Sequence, residues 1–251
     1  MLGKSKIQML SITMNSNGMT NTIHPTLIWD EEDVVLIDTG YPGQLKEFQN
    51  CFETIGVPFE KLNKILITHQ DIDHIGSLSV IVEESTNEIE VYASEIEKPY
   101  IQGEKLLIKI TPEKIAKAVA SLPADTTDDF RKAFKNRLEN PPKGKVNHIV
   151  TPGNDLEICG GITVIDTAGH TPGHISFYHK ESKTLVAGDA LIIENDQLNP
   201  SNPQYTYDIE QSIKSLEALL SFDIEKVICY HGGLFERNIK ERLSEIIRLK
   251  F

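Results

Sequence analysis

Cysteine is scarce in this chain: Cys51, Cys159 and Cys229 are three in 251 residues, widely spaced and without a Cys-x-x-Cys pair. An odd, scattered set excludes a disulfide framework, and Cys159 and Cys229 sit in apolar runs where a reduced thiol is buried by default. Basic residues are also in short supply, with 25 Lys and Arg against 37 Asp and Glu and a formal charge of −12. That balance disfavours attraction to nucleic acid or to an anionic membrane. No apolar run approaches the roughly 20 residues needed to cross a bilayer. The first ten residues carry basic side chains but no sustained apolar stretch of the kind a secretory signal needs. The expectation is a cytoplasmic protein acting on a small molecule, with neither nucleic acid nor membrane as partner. Short repeats and low-complexity tracts are missing as well. What remains is an ordinary globular composition, 39% hydrophobic and 25% charged, long enough to bury a substantial core.

The apolar pattern alternates between strand and helix. Ile7–Thr13, Ile23–Trp29 and Val34–Ile37 read as strands, the last ending in Asp38-Thr39-Gly40. Asp38 in that turn can bond turn amides or support a metal ligand from behind. Leu45, Phe48, Phe52 and Ile55 recur at helical spacing and Gly56 stops the helix. Lys64–Thr68 is the next strand, followed by a helix from about His74 and a strand at Ile89–Tyr92. Residues 95–145 break the rhythm, with helices predicted over Pro112–Leu122, capped by Thr111, and Asp128–Leu138. This span carries 11 Lys and Arg against 8 Asp and Glu, while the rest of the chain carries 14 against 29. It reads as a helical insert, either a solvated helical pair or a lid with Tyr100, Ile101, Leu106, Leu107 and Ile108 as an apolar face toward substrate. Strands resume at Val146–Val150, Asp155–Cys159, Ile162–Asp166, Ile175–His179 and Thr184–Ala187. An amphipathic helix through Ile209, Ile213, Leu216, Leu219 and Leu220, capped by Thr206 or Asp208, and a last helix over Phe235–Leu249 follow. Each half repeats the strand–helix order, which predicts one domain of two similar halves facing each other.

The chemistry is concentrated in His69-Gln70-Asp71-Ile72-Asp73-His74, directly after the buried strand. Four metal-ligating side chains in six positions, released from a strand end, put several lone pairs into a small volume. Imidazole with carboxylate suits Zn, Fe or Mn better than Ca or Mg. His170, Asp189 and His231 recur at later strand ends. His24, His148 and His179 read as surface or satisfied core histidines.

With His69-x-Asp71-x-Asp73-His74, then His170, Asp189 and His231 in order, the chain resembles the metallo-β-lactamase-fold hydrolases. The likeness extends to Leu36-Ile37-Asp38-Thr39-Gly40, Gly169-His170-Thr171-Pro172-Gly173 and Gly188-Asp189. It implies an α+β, four-layer αββα sandwich with two divalent metal ions between the sheets. By that resemblance one ion takes His69, Asp71 and His170, the other Asp73, His74 and His231, and Asp189 bridges them. A metal-bridging hydroxide would then attack an ester, lactone or thioester, with Asp73 passing a proton to the leaving group. His174 is expected to support the site rather than ligate. The sequence departs from the family's usual pattern at Asp71, where His is usual. A third carboxylate lowers the cluster charge and shifts preference from Zn toward Mn or Fe. The helical insert and the missing signal look most like the lactonase and glyoxalase-type thioesterase branches. Two other classes compete: a di-iron redox protein served by a separate electron donor, and a non-catalytic binding protein on the same fold. Tyr178, Tyr205, Tyr207 and Tyr230 are open choices for an oxyanion-stabilising phenol.

Overall fold

The computed structural model describes residues 4–16, 19–123 and 126–248. Strand Val34–Ile37 shows how the layers arise, because all four of its residues are buried. Successive strand side chains point to opposite faces. Val34 and Leu36 pack outward with Phe48 and Phe52 of helix Leu45–Ile55. Val35 and Ile37 point inward and meet Ile162, Val164, Ile175 and Phe177 of the other half. In that half Tyr178, Leu185 and Ala187 turn outward onto Ile213, Leu216, Leu219 and Leu243. Three apolar layers therefore separate helix, sheet, sheet and helix, which is the expected αββα sandwich.

The first sheet runs Lys6–Met9, Thr26–Trp29, Val34–Ile37, Lys64–Leu66, Glu90–Ser94, His148–Val150. The second runs Gly233–Phe235, Lys226–Cys229, Thr184–Gly188, Ile175–His179, Ile162–Asp166, Asp155–Leu156. Small hairpins add Ile12–Ser16 with Met19–Ile23, and Leu191–Glu194 with Gln197–Pro200. From Val34 to Val150 the first sheet is parallel, and Thr184–Gly188 pairs parallel to Lys226–Cys229. Parallel strands release their following loops at one edge, so the turns after Ile37, Leu66, Gly188 and Cys229 gather there.

Several element limits differ from the pattern-based reading. Ile7–Thr13 is two strands, since Leu10 donates its N–H to Pro25 O but Pro25 has no N–H to return, and from Ile12 the chain pairs instead with Met19–Ile23. Ile23–Trp29 likewise breaks before Thr26, where Pro25 has no N–H to give a ladder. The helix expected from His74 begins at Ile72, so Asp73 and His74 lie within a short helical turn, Ile72–Ile75. The last helix begins at Ile239, because Phe235 is consumed by the edge strand, and its expected end at Leu249 lies outside the described residues. The helices of the 95–145 span form at Lys98–Ile101, Pro112–Ala120 and Asp128–Glu139, with Thr111 and Thr127 accepting the capping N–H of Lys114 and Phe130. Of the five apolar residues offered as a lid face, Ile101 and Leu107 are buried in the helix-side core of the first sheet and Tyr100 packs against that core, whereas Leu106 is exposed. No helix among the described residues is long and apolar enough to cross a membrane.

Candidate metal centre

Asp38 is the anchor of the first half's contribution. It sits at φ 63°, left-handed for a non-glycine residue, and is buried. Its Oδ1 accepts the Thr68 N–H at 2.9 Å and its Oδ2 accepts the Thr68 hydroxyl at 2.8 Å. The same Oδ2 lies 2.8 Å from His74 Nδ1, which leaves His74 Nε2 facing inward. The reading of Asp38 as support behind a metal ligand therefore holds, its carboxylate bonding the end of the neighbouring strand and orienting an imidazole rather than bonding the amides of its own turn. Thr68 Oγ1 is also 3.0 Å from His69 Nδ1, so His69 too presents Nε2 to the centre. Tyr230 stacks on His74 at 3.8 Å between ring centroids, and its hydroxyl donates to Asp73 O.

The second half completes the cluster. His170 Nδ1 is 2.6 Å from Ser201 Oγ, and Ser201 in turn accepts the Thr206 hydroxyl at 2.9 Å. Asp208, rather than Thr206, caps the helix that follows, accepting the Gln211 N–H. His174 is fully buried, and its Nε2 accepts the Asp189 N–H at 3.0 Å. That bond occupies the lone pair a metal would need, so His174 supports Asp189 and does not ligate. Gly188 permits the approach: at φ +54° a Cβ there would stand 2.8 Å from His174 Nε2.

Two groups of donor atoms result, each within 4.8 Å of one another: His69, His170 and Asp189, and Asp73, His74 and His231. Asp189 stands between them, with Oδ1 3.3 Å from His74 Nε2 and Oδ2 3.3 Å from His170 Nε2 and 3.5 Å from His231 Nε2. Asp73 Oδ2 lies 3.3 Å from His231 Nε2. A direct fit test comes from unsatisfied atoms. Four buried side-chain polar atoms among the described residues lack a hydrogen-bond partner, and three of them are His69 Nε2, His74 Nε2 and Asp189 Oδ1. Orphaned buried polar atoms are costly and rare, and here they converge from two strand ends, for His69 and Asp189, and from the helical turn that carries His74. Nitrogen and carboxylate lone pairs aimed at a common point fit divalent metal ions.

Asp71 is drawn into the same space but is already engaged. Its Oδ2 is 3.2 Å from His69 Nε2 and 3.0 Å from His170 Nε2, and it accepts the Lys109 ammonium. Lys109 Nζ also lies 2.7 Å from His170 Nε2. Lys109, Glu97 and Tyr41 are the residues that pattern reading missed. Glu97, fully buried, accepts Gln70 N and Gln70 Nε2 at one oxygen and the Thr171 hydroxyl and Gly173 N at the other. It thus ties the loop carrying His69 and Asp71 to the loop carrying His170. Tyr41 follows the Asp38 turn and lines the cleft over the centre, and its hydroxyl accepts Asn21 Nδ2 at 2.9 Å. Of the expected tyrosines, Tyr178 donates to Asp223 O and Tyr207 is exposed on the surface. Tyr205 reaches the cleft rim. His148 pairs with Glu90 and His179 is held by Ser182 and Cys159 O, so neither enters the site. His24 is turned to Leu10 O.

Burial and charge set the protonation of the cluster. Burial, then the neighbouring His74, lowers His69 to about 4 against the pull of Asp71. Burial opposes a charge on His231, but Asp189 and Asp73 outweigh it and raise the group to about 10. His74 is likewise raised well above its usual value, burial being overcome by Asp189, Asp38 and Asp73.

Arrangement and sequence agree on the family. The sequence profile of the metallo-β-lactamase superfamily matches residues 21–231, and the chain belongs to that superfamily. A probable metallo-hydrolase of Bacillus subtilis (strain 168), YybB, is 29% identical over 194 residues, covering 77% of this chain and 73% of its own. The hydroxyacylglutathione hydrolase GloC of Haemophilus influenzae is 27% identical over 168 residues, 66% of this chain and 65% of its own. The crystal structure of a metallo-β-lactamase family protein from Thermus thermophilus superposes with a TM-score of 0.67 at 23% identity, over 96% of this chain and 78% of that one. At the level of the superfamily this is a metallo-hydrolase fold with a metal-binding cleft.

Proposed function

We propose that the chain is a metal-dependent hydrolase of small esters, thioesters or lactones, working with two divalent ions. The observation that carries this reading is the convergence of His69 Nε2, His74 Nε2 and Asp189 Oδ1, three buried and otherwise unpartnered atoms. One ion would be held by His69, His170 and Asp189 with Asp71 beside it, the other by Asp73, His74, His231 and Asp189. When bound, such ions supply Lewis-acid activation of water and polarise the carbonyl under attack.

The protein's own part is to place, exclude and protonate. The cleft holds about 470 Å³, a size suited to a small organic substrate. Tyr41 offers its hydroxyl proton toward that cleft, because Asn21 already donates to the phenolic oxygen. Burial, then Asp73, raises the Tyr41 pKa, so the phenol stays a neutral donor for a developing oxyanion. Asp73 also lines the cleft, and its carboxylate is the group proposed to carry a proton to the leaving oxygen or sulfur. The likeness to a hydroxyacylglutathione hydrolase supports the thioester arm.

The test is turnover of a small ester, thioester and lactone panel by Zn- and Mn-loaded protein, with Asp189→Asn and Tyr41→Phe beside the wild type. Asp189→Asn should abolish turnover and release metal, whereas Tyr41→Phe should lower kcat roughly 10- to 100-fold at unchanged metal content. No turnover of any panel member by fully loaded protein would sink the hydrolase assignment.

A further inference from the structure

Lys109 belongs to the connector between helices Lys98–Ile101 and Pro112–Ala120, and nothing about its sequence neighbours ties it to the centre. Its backbone is nevertheless fixed there. The Ile108 N–H donates to Gln70 Oε1 at 2.7 Å. The amide nitrogen of the same Gln70 side chain donates to Glu97 at 2.8 Å. One residue beyond that anchor, the Lys109 side chain is only 23% exposed, and its ammonium bridges Asp71 Oδ2 and His170 Nε2. An ammonium has donors and no acceptor, so the atom it meets on His170 is the ring's lone-pair nitrogen. That nitrogen is the one a metal would use.

From this we infer that Lys109 is a tethered cation that occupies the first of the two metal positions and makes the pair unequal. A single lone pair on His170 Nε2 cannot serve an ammonium and a metal ion together. A divalent ion entering between His69, His170 and Asp71 therefore has to displace Lys109 and break both of its contacts. The second position has no such guard. Among the described residues no Lys or Arg forms an ion pair with Asp73 or Asp189, and His74 Nε2 there has no hydrogen-bond partner. The ion held by Asp73, His74, His231 and Asp189 binds tightly, and the other binds weakly, only after the lysine has swung away. Asp71 and Lys109 belong to one device: the Asp71 carboxylate is what keeps the lysine in the site. With Lys109 in place the protein works as a one-metal centre with a fixed positive charge beside it.

The inference rests on the two-metal reading and is tested by metal stoichiometry rather than turnover. Full-length wild type, Lys109→Met and Lys109→Arg are stripped with chelator and titrated separately with Zn²⁺ and Mn²⁺ by calorimetry and equilibrium dialysis. Wild type and Lys109→Arg should take one equivalent tightly and a second at least tenfold more weakly. Lys109→Met should tighten the second equivalent roughly tenfold or more and leave the first nearly unchanged. Met keeps the length of the partly buried stem, and circular dichroism verifies that the fold survives. Equal stepwise affinities in wild type, or a second equivalent unmoved by Lys109→Met, overturn the role given to Lys109. If none of the three proteins takes even one equivalent, the metal reading itself falls, a result distinct from either.

Discussion

Glu97 meets four donors from two loops with one carboxylate, and so ties the His69 loop to the His170 loop. Glu97→Gln turns one oxygen into an NH₂ that faces donors, so it should cost about 2–3 kcal/mol in urea unfolding. Glu97→Ala should cost more and loosen metal binding at His170. Protonation of the metal ligands makes a second expectation at this scale. In the metal-free protein His69 is lowered from 6.5 to about 4, so its contribution to stability is full above 6.5 and is lost as pH falls through 4. His231 is raised from 6.5 to about 10, so its contribution is full below 6.5 and is lost as pH rises through 10. The unfolding midpoint of the metal-free protein should peak near pH 6.5 and decline on both sides. Metal binding requires neutral imidazoles, so loading at pH 7.5 should release about two protons, from His74 and His231. Calorimetry in buffers of different ionisation heat reads that number directly, and a value of zero would mean both rings are already neutral. His69, His170, Asp189 and His231 were legible as ligand-type residues soon after a strand, and Asp73 and His74 by standing within five residues of His69. Lys109 was not legible, since one lysine among the insert's cations carries no local mark and its partner Asp71 lies 38 residues upstream.

At the scale of elements, the 95–145 span divides into a part that belongs to the site and a part that does not. Residues 97–110 are tied into it by Glu97, Ile108 and Lys109, while helices Pro112–Ala120 and Asp128–Glu139 pack on each other. Arg131 holds that pair together. Its guanidinium donates to Val119 O, Leu122 O, Pro123 O and Thr126 O, satisfying carbonyls at the end of the first helix. Arg131→Ala should raise amide exchange across 112–139 about tenfold, equivalent to about 1.4 kcal/mol, without changing metal content. Excising residues 112–140 with a short linker should shift substrate preference and KM and spare the metal, whereas loss of metal from the folded deletion would assign the pair a structural role. The helices themselves were readable, the first with its Thr111 cap, while the Thr127 cap of the second came only from the structure. Their division of labour was not, because Ile101 and Leu107 look as suited to a substrate face as to a core until the sheet beneath them is in place. The breaks at Leu10 and Pro25 were missed for a related reason, since an apolar run does not record where its strand changes partner.

The molecule as a whole is two half-sandwiches joined by a shared apolar layer. Phe177 lies fully buried in that layer. Phe177→Ala should cost about 3–5 kcal/mol, with metal site and fold lost in one transition when ellipticity and metal release are followed together. The sandwich was legible in the repeated strand–helix order. The sheet edges were less so: the apolar pattern makes the Asp155 strand three residues too long, and edge strand Gly233–Phe235 is too short to carry a pattern and reads in part as the start of the last helix. Each donor group draws on both halves: His69 stands with His170 and Asp189, and Asp73 and His74 stand with His231. A metal ion in either group is therefore a bond across the join as well as a reagent. Nicking the connector at Pro141-Pro142-Lys143-Gly144 would leave two pieces, the second lending strand His148–Val150 to the sheet of the first. Neither piece owns a complete donor group, so zinc should raise their mutual affinity in proportion to its binding and a chelator should lower it. Fluorophores on the two pieces would turn the join into a gauge of free metal, with the dissociation constant of the pair following the chelator added.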